Sequence, residues 1–151
     1  MPAVFEHAID LPQPPQQVFA LLDDYSKVPL WLTRCEGVAK QGTGPTSIGD
    51  KLRYAYCEGG KHRLMDGVVT AVEQDRLLSY KYFDKMMMVL IDFRMTRNED
   101  GGTHLVHRIE ITPHAFLAKL MMPLIRMMLP KQTIDAMENL RTLLAREAIA
   151  A

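Results

Sequence analysis

Along most of this chain apolar and polar side chains alternate one for one, the pattern of strands with one face buried. Residues 4–11 set Phe5, His7, Ile9 and Leu11 against Glu6, Ala8 and Asp10. The same texture predicts strands at 36–41, 51–57, 62–72, 77–83, 87–97 and 103–111. Turn residues separate them: Gly42-Thr43-Gly44-Pro45, Glu58-Gly59-Gly60-Lys61, Gln74-Asp75, Asp84-Lys85 and the run 98–102. Connections this short join antiparallel neighbours, so the strands form a meander. One interruption follows the first strand. Pro12, Pro14 and Pro15 end it, Val18, Leu21 and Leu22 mark a short helix, and residues 27–32 carry Pro29 and Trp31 as a docking element.

The pattern switches once, at residues 114–148. This is the only stretch long enough for a many-turn helix, with Thr112 as its N-cap and Pro113 at its first position. In its second half Ile134, Met137, Leu140 and Leu144 form an apolar stripe. Projected backwards at about 100° per residue, that stripe lands on Lys119 and Arg126, whereas the first half has its own stripe through Leu117, Leu120, Met121, Leu124 and Met128. A straight helix cannot bury both, so a kink or break is expected at Pro123 or Pro130. The thioether-rich half would then face something other than the ordinary core, or its methionines fill an irregular core. The fold class is α+β. A sheet of about seven strands has a face too wide for one helix unless it curls around that helix, which leaves room between them.

The 151 residues suffice for one domain, 1–151, with its own core and no need of disulfides. Lys plus Arg and Asp plus Glu each number 18, so no global basic surface recruits nucleic acid. Cys35 and Cys57 fit no ligand spacing and no disulfide framework, which suits a reducing cytosol; no metal and no cofactor is expected. No signal peptide is visible, and Lys119 and Arg126 interrupt the longest apolar run well short of a membrane span. A cytoplasmic protein without integral membrane association is the expectation, with a homodimer left open.

Candidate chemistry is sparse. His104 and His107, three apart on a strand, point to opposite faces and cannot share a metal. His107 shares parity with Leu105, Ile109 and Ile111 and should face inward, either as a neutral core histidine satisfied by a hydroxyl or as a weak acid–base candidate. Tyr54 with Tyr56, and Tyr80 with Tyr82, make same-face pairs that suit either a cavity wall or an ordinary sheet face. Val89, Ile91, Phe93 and Met95 point inward; Asp92 and Arg94 point outward. Ser26, Ser47 and Ser79 lie in no nucleophile elbow, and Gly42, Gly44 and Gly49 open no helix that could cradle phosphate.

Several phrases together resemble the START-like, helix-grip superfamily (SRPBCC), in particular its polyketide cyclase/dehydratase branch. They are LPQPPQQVFALLDDYSKVPLWL after the opening strand, SIGDKLRY, DGVVTAVEQDRLLSY, GGTHLVHRIEIT and the closing MENLRTLLARE. The resemblance spans nearly the whole chain, and its specificity lies in order and spacing. It implies a curved antiparallel sheet gripping the C-terminal helix around a large cavity. Members bind lipids, sterols, polyketides or other apolar molecules; a minority are enzymes, with no universal catalytic residue. The leading expectation is carriage or sensing of a small apolar ligand against Tyr54, Tyr56, Tyr80, Tyr82, Ile91, Phe93, His107, Leu117, Met121, Leu124 and Met128. The alternatives are a cyclase, aromatase or dehydratase using His107 with a tyrosine, and a partner- or membrane-surface-binding protein using the apolar stretch 116–129.

Overall fold

The computed structural model describes residues 2–150, with side chains described through residue 147. Strand β1 (Ala3–Leu11) leads into helix α1 (Pro15–Leu22), a 3₁₀ turn (Tyr25–Lys27) and the single-turn α2 (Val28–Trp31). Six strands follow: β2 (Cys35–Lys40), β3 (Lys51–Glu58), β4 (Lys61–Glu73), β5 (Leu77–Phe83), β6 (Met87–Arg97) and β7 (Thr103–Pro113). Helix α3 (Phe116–Ala150) closes the chain. The sheet runs β1-β7-β6-β5-β4-β3-β2, antiparallel at every step. Six of its seven strands are thus a meander, and β1 reaches β7 only because the first and last strands meet at one edge.

The alternation places side chains as expected. Ile9, Leu11, Phe93, Met95, Leu105 and His107 are buried on the concave face, while Glu6, Asp10 and Arg94 are exposed. Pro15 occupies the first turn of α1, where its missing N–H costs nothing. Val18, Phe19, Leu21 and Leu22 pack under the sheet together with Trp31.

The terminal helix departs from expectation in three ways. Thr112 and Pro113 belong to β7, still paired with Met88 and Met87, and the helix begins at Phe116 after the His114 and Ala115 amides donate to the Met86 carbonyl. Pro123 and Pro130 lie inside one uninterrupted helix. Its buried stripe is also a single one: Ala118, Met122, Leu129, Thr133, Ala136, Met137, Leu140 and Leu144. Small residues carry this stripe through the helix, so Lys119 and Arg126 flank it rather than interrupt it. Ile134, expected as an anchor, is exposed.

The two halves of α3 are held differently. Met137, Leu140 and Leu144 enter the main core, Asn139 donates to the Trp31 carbonyl (3.2 Å), Arg141 to the Asp10 carbonyl (3.0 Å), and Lys27 pairs with Glu147. The first half meets only a satellite cluster in which Met122, Ile125 and Leu129 pack on Ala3, Phe5, Ile109 and Ile111. No described helix is long and apolar enough to cross a membrane.

Candidate ligand-binding site

Strand pairing turns the inward aromatics into one ladder across the concave face. Tyr56 stacks on Tyr54 (5.2 Å between ring centroids), Tyr54 on Tyr82 (4.8 Å), and Tyr82 meets Tyr80 edge-on (5.3 Å). Tyr80 leans on Phe93 (6.2 Å), and Phe93 lies parallel to the His107 ring at 4.4 Å. Gly67 of β4, the cross-strand partner of Tyr82, leaves room for that ring to lie over β4. Trp31 seals the far end, edge-on to Phe93 at 6.0 Å.

The ladder runs from open to closed. Tyr80, Tyr82, Phe93 and His107 are buried; Tyr54 and Tyr56 are only half-buried, as are their neighbours on the same face, Met87, Val89 and Ile91. Two surface clefts, of about 370 and 240 Å³, lie away from this wall. The larger is lined by Pro2, Ala3, Val4, Phe5, Arg126, Leu129 and Pro130, the smaller by residues of α1 and the β5 and β6 ends. The inner rings of the ladder and Met137 pack into the main core, while Tyr54 and Tyr56 stay half-buried.

The helical wall expected from Leu117, Met121, Leu124 and Met128 needs correction. Leu117 and Leu124 point away from the sheet and are exposed, because the helix buries Ala118, Met122 and Leu129 instead. Met121 and Met128 sit between these two faces, Met121 exposed and Met128 half-buried. Met121 precedes Asn139 by five full turns and so points the same way, towards the side where Asn139 meets Trp31. On that side Arg34 donates to the Gln132 side-chain carbonyl at 3.1 and 3.3 Å. Arg34 also acts electrostatically on the Tyr54 hydroxyl, and Asp84 on that of Tyr56. Arg34, bonded to Gln132, and Asp84 thus border the half-open tyrosines. Sequence reasoning missed Arg34 and Gln132, which meet only after folding.

The electrostatics of the wall favour neutral groups. Burial raises the hydroxyl pKa of Tyr54, Tyr56, Tyr80 and Tyr82, and pushes the Cys35 thiol up to about 11. Burial, with His7 paired opposite on β1, lowers His107 to about 3. His107 is inward and neutral as expected, but no hydroxyl satisfies it: its Nδ1 has no partner among the described residues. The Trp31 Nε1 donor is likewise unpartnered. Both border Phe93.

His104 faces outward and pairs with Asp10 at 2.8 Å, and Ser79 donates to Asp92 on the convex face. There the pairing of β2, β3 and β4 also brings Glu36, Cys57 and His62 together, their ligand atoms within 4.8 Å of one another. The linear spacing of the cysteines could not reveal this grouping. Glu36 and His62 already form a hydrogen-bonded pair at 2.7 Å, exposed and on the face opposite the tyrosines.

A curved antiparallel sheet wrapped on a long terminal helix, with an aromatic wall on the concave side, is a START-like helix-grip fold. Residues 2–145 match the model of the family described as polyketide cyclase / dehydrase and lipid transport, and the chain belongs to that family. Solved structures agree on the fold. The Zhui aromatase/cyclase from Streptomyces sp. R1128 superposes with a TM-score of 0.79 at 13% identity, covering 98% of this chain and 96% of that one. A START superfamily protein from Mycobacterium smegmatis gives 0.76 at 9% identity, covering 95% and 97%. The protein Ara h 8.0201 gives 0.71 at 13%, covering 97% and 99%. No curated protein sequence matches the chain.

Proposed function

We propose that the protein binds a small, mostly apolar ligand, lipid-like or polyketide-like, between the Tyr54–Tyr56 end of the ladder and the Met121–Met128 edge of α3. One observation carries this reading. Inward apolar and aromatic side chains that a finished core would bury, namely Tyr54, Tyr56, Met87, Val89 and Ile91, stand half-open, with Arg34 and Gln132 beside the tyrosines. Such a surface takes an apolar body by burial and orients it with few polar contacts. Arg34 and Gln132 suit a carbonyl or carboxylate of the ligand. Methionine adapts to varied shapes at some loss of selectivity.

Binding is favoured over turnover by the state of the titratable groups. An acid–base catalyst works best with a pKa near the working pH. On this wall the tyrosines and Cys35 are driven up and His107 down, so each stays neutral. His107 is also flanked by Phe93 rather than by a tyrosine hydroxyl. The cyclase found in a structural neighbour therefore remains a fold relationship for this chain.

The test is a fluorescence titration with N-phenyl-1-naphthylamine, an apolar probe. The wild type should bind it saturably, and Met121→Trp or Tyr56→Ala should weaken binding on the order of tenfold, equivalent to about 1.4 kcal/mol. His107→Ala should leave it nearly unchanged. Saturable binding untouched by Met121→Trp and Tyr56→Ala would place the ligand elsewhere.

A further inference from the structure

Of the twelve large apolar side chains exposed among the described residues, six lie in the first half of α3. Phe116 is 79% exposed, Met127 71%, Leu120 66%, Leu117 55% and Leu124 46%. At about 100° per residue these five occupy one arc of the helix, opposite the stripe of Ala118, Met122 and Leu129 that packs on the sheet. They form a continuous second face rather than scattered exposed side chains, which would need no explanation.

Charge points to what covers this face. Between Phe116 and Ile134 every ionisable residue is a cation: Lys119, Arg126 and Lys131, all exposed. The first acid is Asp135. A second copy docked through the same face would bring like charges together with no acid on this stretch to pair them. An anionic lipid surface offers the opposite: hydrocarbon for the apolar arc and headgroup charge for the flanking lysines. The helix cannot go deeper, because its other face is committed to β1 and β7.

We propose that this face of α3 docks the protein peripherally on anionic bilayers, with the helix lying in the interfacial plane. Met121, between the docked arc and the rim of the tyrosine wall, then sets the mouth of the ligand site beside the lipid. An apolar ligand could pass between bilayer and protein there without crossing water. Docking does not depend on the ligand-binding reading, since it requires only the outer face of the helix.

The experiment is co-sedimentation of the ligand-free protein with vesicles of phosphatidylcholine, with and without about a third phosphatidylglycerol. The wild type should partition onto the anionic vesicles roughly tenfold more than onto the neutral ones, and high salt should weaken this. Leu120→Glu with Met127→Glu should abolish sedimentation while the circular dichroism melt and the N-phenyl-1-naphthylamine titration stay unchanged, both positions being solvent-exposed. Lys119→Glu with Lys131→Glu should lower binding to anionic vesicles selectively. The proposal is overturned if the wild type binds neither vesicle, or if the Leu120→Glu, Met127→Glu variant binds as the wild type does. A wild-type dimer that this variant dissociates, without vesicle binding, overturns it too and assigns the face to a second copy. Failure here with probe binding intact leaves the ligand site standing.

Discussion

A Cβ placed on Gly67 would sit 2.5 Å from Tyr82 Cδ1 and 2.7 Å from Cε1, with the Lys81 carbonyl 3.1 Å away. Space rather than backbone conformation demands glycine here. Gly67→Ala must push the Tyr82 ring off β4 and so break its stack with Tyr54. Overpacking of this kind should cost roughly 1–3 kcal/mol in urea unfolding and weaken probe binding; an unchanged midpoint would show that the ladder has slack. His107 gives the second prediction at this scale. Its folded pKa is depressed from 6.5 to about 3, so only the unfolded chain takes up a proton as pH falls below about 6.5. The stability that neutral His107 contributes is complete above that pH and is lost on acidification, at up to about 1.4 kcal/mol per pH unit. Urea unfolding between about pH 7 and 5 should show this decline in the wild type and a flatter profile in His107→Phe. Parallel profiles would mean that another group sets the slope. The inward direction of His107 was legible from strand parity. Its unpartnered Nδ1 was not, because that depends on what β1 and β6 place on either side.

The helix shows where pattern reading stops. The strands were legible because alternation and turn residues are local signals, and β5 and β6 match their expected bounds; the last strand runs two residues further, through Thr112 and Pro113. The phase of the helix is not legible from its large apolar residues, because three of the eight buried positions of α3 are Ala118, Thr133 and Ala136. Leu117 and Leu124 were consequently assigned to a wall they do not face. Two measurements follow. Pro123 is exposed within an unbroken helix, so Pro123→Ala should restore a backbone donor and stabilise the fold by roughly 1–3 kcal/mol, less the gain in unfolded-chain freedom. A loss of stability would mean that the helix needs the bend a proline imposes. Hydrogen exchange should also separate the halves of α3. Amides at 117–129, held by the satellite cluster, should exchange well before those at 133–147, which the main core, Asn139 and Arg141 hold in place. Uniform protection along the helix would show that it opens as one unit.

At the scale of the molecule, equal numbers of acids and bases hide a local imbalance. The stretch of α3 that exposes its apolar arc carries cations alone. Family membership and the sheet order account for the grip of sheet on helix, and the half-open tyrosines mark where that grip is incomplete. If an apolar ligand enters between Tyr54, Tyr56 and the Met121–Met128 edge, as proposed, the chain carries its own reporters of it. Of its 11 methionines, Met87, Met121 and Met128 border the proposed site, Met65 is the strand partner of Tyr54, and Met95 and Met137 lie in the closed core. The decisive measurement is a methyl spectrum of the ¹³C-methionine-labelled protein, titrated with N-phenyl-1-naphthylamine. The Met65, Met87, Met121 and Met128 signals should move together and saturate while those of Met95 and Met137 stay fixed; movement confined to Met95 and Met137, or none at saturating probe, would contradict the account.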